Sequence, residues 1–309
     1  MGKIAVAVQE ALKRRRERGE AGRAVGRRVA AGQGWSVGDV TCTSGPQDRS
    51  FEERHTRSTI AIVLAGSFQY RSPLGRGFMA PGSLLLGNAG HCYECGHRHG
   101  EGDRCVAFYY LPEYFERLAA DAGATGTKLR FPVPRLPPLQ ALAALVAGAG
   151  AGAAGAASVP WEEVGVRLAV GAVKLAAGLS WDDGALPLNA EARVTRAVRA
   201  IDDRPDGDLS LGTLARESGL SPYHFLRTFE RLTGVTPHQY VLRARLRAAA
   251  TRLATEAGRV IDVALDSGFG DISNFNRAFR TEFGVSPRAY RQRYAACAAS
   301  YGSAPPSAR

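Results

Sequence analysis

A chain of 309 residues is long enough for two domains with real cores, and no apolar run approaches the roughly 20 residues a bilayer span needs, because Gly and Ala dilute every candidate. The first thirty residues are arginine-rich and lack an apolar h-region, which excludes a secretory signal and sets the expectation of a soluble cytoplasmic protein with no membrane partner. The net charge of +11 is unevenly placed: residues 1–34 carry nine Lys/Arg against three acids, residues 35–188 thirteen against fourteen, and residues 189–293 seventeen against twelve. A neutral middle and a basic C-terminal third suit a chain that meets phosphates at that end only.

Residues 1–34, with the run KRRRERGEAGRAVGRR, read as a basic, disordered arm. From Trp35 the texture changes to short β-type runs: IAIVLAG at 60–66, FQY at 68–70, GSLLLG at 82–87 and CVAFYYL at 105–111. Gly, Pro and Asn punctuate them every eight to twelve residues, which predicts a small antiparallel β-barrel or sandwich. The helical PEYFERLAADA at 112–122, with Tyr114, Phe115 and Leu118 on one side, should pack on it and close a domain at 35–122.

Within that domain the segment HCYECGHRHGEGDRC, His91 to Cys105, gathers three of six histidines and three of five cysteines, with His55 upstream. In an extended strand His91, Cys95, His97 and His99 share one face. Together with Cys92 and Cys105 they form a candidate metal or thiol-redox site, for which zinc or another divalent metal is the fitting ion. The spacing departs from the His-x-His of metal-holding cupins, and Cys92-x-x-Cys95 has no second pair. The alternative is that these side chains pack or hydrogen-bond near a ligand pocket.

Residues 123–187 read as a helical, low-complexity region. The Gly/Ala alternation from Gly148 to Ala157 predicts a loop that buries little, while Val164, Leu168, Ala172 and Leu175 mark a helix between Trp161 and Trp181. Residues 182–187 are the expected linker, after which Asn189 caps the first helix of the domain at 188–293. Residues 294–309 lose periodicity and read as a disordered tail, with Cys297 an isolated thiol.

The domain at 188–293 says one thing twice. LARESGLSPYHFLRTFERLTGVTPHQY, Leu214–Tyr240, is answered by VALDSGFGDISNFNRAFRTEFGVSPRAY, Val263–Tyr290, with Phe225, Arg227, Phe229, Gly234, Pro237 and Tyr240 repeated fifty residues on. Each copy has the layout of a helix-turn-helix. A short helix stops at Gly219 or Gly268, Ser221-Pro222 supplies a cap and first-turn proline in the first copy, and Phe225/Phe229/Leu232 or Phe275/Phe279/Phe283 form a buried stripe. The opposite faces present Tyr223, His224, Leu226, Arg227 and Arg231 in one copy and Ser273, Asn274, Arg277 and Arg280 in the other. Arginine pairs with guanine, asparagine with adenine, and apolar side chains meet the thymine methyl. Roughly 18 residues from Pro237 to Thr255 read as one connecting helix about 27 Å long, a span suited to successive major grooves ~34 Å apart.

This doubled motif resembles the C-terminal DNA-binding domain of the AraC/XylS family of bacterial transcription regulators. The turn and strand Ala80-Pro81-Gly82-Ser83-Leu84-Leu85 is similar to part of the cupin-like sensor domain those regulators carry. The resemblance implies an α+β multidomain protein: a cupin-like antiparallel β-barrel plus helices, then an all-α double helix-turn-helix. It implies base contacts by Tyr223, Leu226 and Arg227 and by Ser273, Asn274 and Arg277, with His224, Arg231 and Arg280 on the DNA backbone. Family members often carry a longer polar residue where Leu226 stands. The implied function is a sequence-specific transcription regulator, an activator by type, controlled by a small-molecule or metal effector. Double-stranded DNA and RNA polymerase are its implied partners, with a homodimer built through helices near Val159–Trp181.

Two catalytic alternatives stand beside it, a cupin-type metal enzyme and a DNA-repair methyltransferase fused to a DNA-binding module, the latter with Cys92, Cys95 or Cys105 as methyl acceptor. No Pro-Cys-His-Arg active-site sequence, Ser/His/Asp grouping, P-loop or dinucleotide fingerprint occurs, so no enzyme activity is expected. A nucleoid protein without sequence preference fits the neutral middle poorly.

Overall fold

A computed structural model describes residues 3–155, 159–178, 189–220 and 222–301. Ser221 and the linker expected at 182–187 lie outside the described residues, as do the side chains of Tyr223 and Cys297.

The N-terminal half is built on β-strands. After α1 (Lys3–Arg18) come β1 (Ala24–Gly32), β2 (Trp35–Cys42), β3 (Phe51–Arg54), β4 (Ser58–Gly66), β5 (Phe68–Ser72), β6 (Gly75–Met79), β7 (Leu84–Gly87), β8 (Cys92–Gly96) and β9 (Asp103–Tyr110). Helix α2 (Pro112–Asp121), the short β10 (Arg135–Leu136), α3 (Ala143–Ala153) and α4 (Trp161–Ala176) complete it. Among the described residues the strands form two sheets, ordered β1-β2-β9-β4-β7-β10 and β3-β8-β5-β6, with antiparallel pairing throughout. Of the expected antiparallel barrel or sandwich, the barrel is corrected: it is not closed, and the strands lie in two antiparallel sheets. Gly66, at φ 77°, turns the chain from the six-stranded sheet into the four-stranded one, and no strand is hydrogen-bonded across both.

Strand β4 explains the layering. Ile60 and Ile62 point to α2, α3 and α4 in one core, while Ala61 and Val63 point to Phe68, Tyr70 and Met79 of the other sheet. A strand buried on both faces needs a continuous apolar run, which IAIVLA supplies. The apolar stripe of α4, Val164, Leu168 and Ala172, belongs to the first core, so it packs on its own domain.

Three further expectations are corrected. The arm at 1–34 contains α1 and β1: Val8 and Leu12, one turn apart, are buried against Ala65, and Arg15 binds Asp48 (2.9 Å) and Thr43 O. The Gly/Ala run from Gly148 is largely the buried helix α3, because its small side chains let it sit between the first core and the C-terminal half, where Ala147 joins Leu246 and Ala250. The tail is helical as far as Tyr301, as part of α11 (Pro287–Tyr301). Asn189 stands at the start of α5 (Ala190–Asp203) as expected, but it makes no side-chain cap; it adopts φ 64°, a left-handed conformation that asparagine tolerates.

The C-terminal half continues with α6 (Leu211–Glu217), α7 (Pro222–Thr233), α8 (Pro237–Thr255), α9 (Val260–Asp266) and α10 (Ile272–Phe283). It is fastened to the sheets at several points. Phe78 and Ala80 enter the core of Phe225 and Phe229, buried Arg135 donates to Leu232 O and Thr233 O at the end of α7, and Gln140 donates to Thr281 O.

Buried His55 touches the Tyr70 hydroxyl at 2.9 Å and stacks on Tyr93 at 4.0 Å. Burial, with the charge of His91 adding to it, holds His55 down at about 4. The unfolded chain then binds the extra proton first, so this residue's penalty grows as pH falls from about 6.5 to 4 and is level below, about 3 kcal/mol in all. Asp202, pushed up to about 6 by burial, acts in the opposite sense over pH 4–6. Urea unfolding of wild type and His55→Gln at pH 7 and pH 4 isolates the histidine: the stability gap between them should change by that amount, and an unchanged gap would contradict the assignment.

Candidate nucleic-acid interface

Each recognition helix is set by its own turn. In the first unit Ser210 caps α6 by accepting from Thr213 N at 3.2 Å, Gly219 at φ 64° ends the turn, and Gly234 at φ 82° ends α7. In the second, Gly268 at φ 86° makes the turn and Asp271 caps α10, accepting from Ser273 N (3.1 Å) and Asn274 N (2.8 Å). Those two hydrogen bonds hold the Asp271 carboxyl below its usual range, with Arg277 adding to them. A residue with a Cβ at Gly268 would also meet the Asp206 backbone at 2.8 Å, so both φ and space demand glycine there.

The buried stripes are as expected. Phe225, Phe229, Phe275 and Phe279 are fully buried, with Leu232 and Phe283 nearly so. Phe229 meets Tyr240 edge-on at 5.5 Å and Phe279 meets Tyr290 likewise at 5.4 Å, so the repeated tyrosine closes each unit from the following helix. Helix α8 opens with a full capping box between Thr236 and Gln239 and runs 19 residues, about 28 Å.

The faces opposite these stripes are open. His224, Arg227 and Arg231 on α7 and Ser273, Asn274, Arg277 and Arg280 on α10 are exposed, and Leu226 is half-buried. Arg277 donates to Asn274 Oδ1 at 3.2 Å, which holds these two exposed polar side chains side by side. Asn276, also exposed, lies beside Ser273 on the helical wheel and was not singled out from the sequence; its place between two stripe positions hid it.

The Cys/His segment behaves differently from its expected single face, and that expectation is corrected. Strand β8 ends at Gly96, so His97 and His99 follow it in a loop. His91 lies by His55, half-buried Cys92 pairs with Arg54 at the start of β8, and His99 approaches Glu191 of α5 at 3.9 Å. Cys95, His97 and Cys105 do turn into the interior, and there they meet two residues the sequence reading left out, Cys42 and Asp103. These two are register partners on β2 and β9, a relation that only strand pairing reveals. Burial, then the Asp103 charge, pushes the Cys42 thiol up to about 11, and Cys95 and Cys105 are raised in the same way. Thiols so placed hold their protons at neutral pH in the absence of a cation, unlike the exposed thiolates of redox sensors.

A cavity of about 910 Å³ lies between the halves. Val8 and Leu12 of α1, the 99–102 loop, Arg199 and Asp202 of α5 and Arg247 of α8 are among its walls.

Two helix-turn-helix units with exposed arginine-bearing faces, joined by one unbroken helix, define a DNA-binding regulator. A model described as a helix-turn-helix domain matches residues 214–293. The regulatory protein SoxS of Salmonella typhimurium is 36% identical over 96 residues, 31% of this chain and 90% of SoxS. The transcriptional activator NphR of Rhodococcus is 37% identical over 115 residues, 36% of this chain and 33% of NphR. Among solved structures, the DNA-binding domain of the global transcriptional factor AdpA in complex with a target DNA is 31% identical, covering 34% of this chain and 94% of that one, with a TM-score of 0.33. The chain belongs to the AraC/XylS family of transcription regulators. The matches fall on its C-terminal third, and they lend no support to the enzyme alternatives. No helix among the described residues is long and apolar enough to cross a membrane.

Proposed function

We propose that the chain binds one specific DNA site with both helix-turn-helix units at once, α7 and α10 entering successive major grooves, under the control of an effector held by the N-terminal half. The observation that carries this is the pair of exposed faces on α7 and α10 at the two ends of the 19-residue α8. Leu226, Arg227, Ser273, Asn274 and Arg277, with Tyr223, read bases, and His224, Arg231 and Arg280 hold the backbone. The two sheets form the cupin-like sensor, whose signal crosses to α5 and α8 over the cavity between the halves. RNA polymerase recruitment and a homodimer belong to the same reading; the dimer would use a surface other than the α4 stripe, which is already buried.

Selection of genomic fragments by the full-length protein, followed by footprinting, tests it: the protected site should span two adjacent turns of duplex. On that site Arg277→Ala should lose about 1–3 kcal/mol and relax preference at a single base pair. Equal weakening on every sequence would make Arg277 a phosphate contact and overturn its role as a base reader.

A further inference from the structure

The interior end of the two-sheet half holds a donor cluster that DNA binding does not use. Cys42 closes β2 directly opposite Asp103, which opens β9. Cys105, two residues along β9, projects to the same side, and His97 comes in from the end of β8. One donor atom from each of Cys42, His97 and Asp103 lies within 4.8 Å of the others, and all three residues are buried. Asp103 is shared: its Oδ2 is 2.6 Å from His97 Nε2 and its Oδ1 accepts from Cys105 Sγ at 3.3 Å. Independently of that packing, the Nδ1 of His97, a residue only 5% exposed, has no hydrogen-bond partner. A buried ring nitrogen is ordinarily satisfied; Nδ1 lies on the ring edge away from Asp103, so an ion shared with Asp103 would take Nε2 in place of the present Nε2–Asp103 contact.

We infer that Cys42, His97, Asp103 and Cys105 form a buried site for a divalent ion of the zinc type, and that its occupancy is what the N-terminal half reports. Two thiolates, an imidazole and a carboxylate match zinc's preference for a closed four-donor set. Binding expels the thiol protons of Cys42 and Cys105 to solvent and leaves two thiolates and one carboxylate around the dication. This goes beyond the sequence cluster in dropping His91, Cys92, Cys95 and His99 and in adding Cys42 and Asp103.

The site is wired to the other half by the loop between two of its ligands. From His97 to Asp103 the chain passes His99, which faces Glu191, and Glu101, whose carbonyl accepts from Arg199 Nη2 at 3.1 Å. A side chain at Gly100 would collide with the Arg199 guanidinium, so loop and helix are in close contact. Glu191 and Arg199 are on α5, whose Val194, Val198 and Ile201 share one core with Phe225 and Phe229 of α7. Drawing His97 and Asp103 around an ion shifts this loop against α5, and α5 carries the first recognition helix. This last step rests on the regulator reading above; the metal site does not.

The test uses full-length protein stripped of metal, titrated with Co²⁺ followed spectroscopically and with Zn²⁺ in competition. Wild type should take up one ion per chain, with the thiolate-to-cobalt band that sulfur ligation gives. Cys42→Ser and His97→Gln, checked for folding by circular dichroism, should weaken zinc by more than the roughly 10–100-fold that loss of an outer-shell partner costs. Failure of folded wild type to bind an ion stoichiometrically overturns the site, as does loss of binding in Cys92→Ser but not in Cys42→Ser. Zinc should change affinity for the selected DNA by between about 5- and 150-fold, and Arg199→Ala should abolish that change while still binding zinc. Zinc binding with no effect on a DNA site that the protein does recognise overturns the coupling alone. Absence of any preferred DNA site would instead count against the regulator reading, leaving the cobalt result standing.

Discussion

Phe279→Ala should destabilise the chain by about 3–5 kcal/mol, as large a loss as a single side chain here can give. The ring is fully buried and is the centre of an aromatic stack, 5.4 Å from Phe275, 4.4 Å from Phe283 and 5.4 Å edge-on from Tyr290. Removing it leaves a cavity that the rigid flanking rings cannot close. The core it belongs to also includes Leu246 and Leu253 of α8 and Ala147 of α3, so the damage extends past one helix-turn-helix into the connecting helix and its contact with the N-terminal half. Urea unfolding gives the value directly. The exposed Arg280→Ala, four residues from the Asn276 side of the same helix, should stay within about 0.5 kcal/mol while weakening DNA binding. A loss below about 1 kcal/mol for Phe279→Ala would mean that the stripe is not what holds α10 in place.

That stripe was plain in the sequence because everything that makes it is local. Phe275, Phe279 and Phe283 recur at helical spacing, Gly284 ends the helix, and the same pattern fifty residues earlier repeats the statement. The polar face followed by subtraction. What stayed hidden depends on partners far along the chain. Nothing near Val8 and Leu12 says that Ala65 will cover them, and a Gly/Ala run looks like filler until α8 supplies a surface close enough to need small residues. Cys42 and Asp103 are sixty-one positions apart and become neighbours only through the register of β2 with β9. The dense run from His91 to Cys105 stands out in the sequence, but its members do not share one face, since strand β8 stops at Gly96 and scatters the outer ones.

The second large effect is expected at Arg104. Its side chain is buried with Asp39 in a two-pronged pair, Nε to Oδ1 at 2.9 Å and Nη2 to Oδ2 at 2.8 Å, and Nη2 also donates to Ala153 O at the end of α3 at 2.8 Å. Burial works against the charge on Asp39, but the hydrogen bonds and charge of Arg104 outweigh it, with exposed Arg27 adding less, and the carboxyl sits below its usual range. Arg104→Met keeps much of the volume and leaves Asp39 a buried anion with only the exposed Arg27 beside it, so at pH 7 it should cost about 3–5 kcal/mol. The double variant Arg104→Met/Asp39→Leu should recover most of that loss, because two apolar groups of similar size leave no charge to desolvate. The pH dependence separates this account from simple loss of packing. In wild type the lowered carboxyl contributes stability that is present above its unfolded value near 4 and fades as pH falls through its lower folded value. In Arg104→Met the stranded carboxyl is raised instead, so it protonates as pH falls and its penalty shrinks. The gap between wild type and Arg104→Met should therefore narrow from pH 7 to pH 4 in urea unfolding. A gap that stays constant would mean that Arg104 acts through its packing and its bond to Ala153 O, with the Asp39 pair contributing nothing.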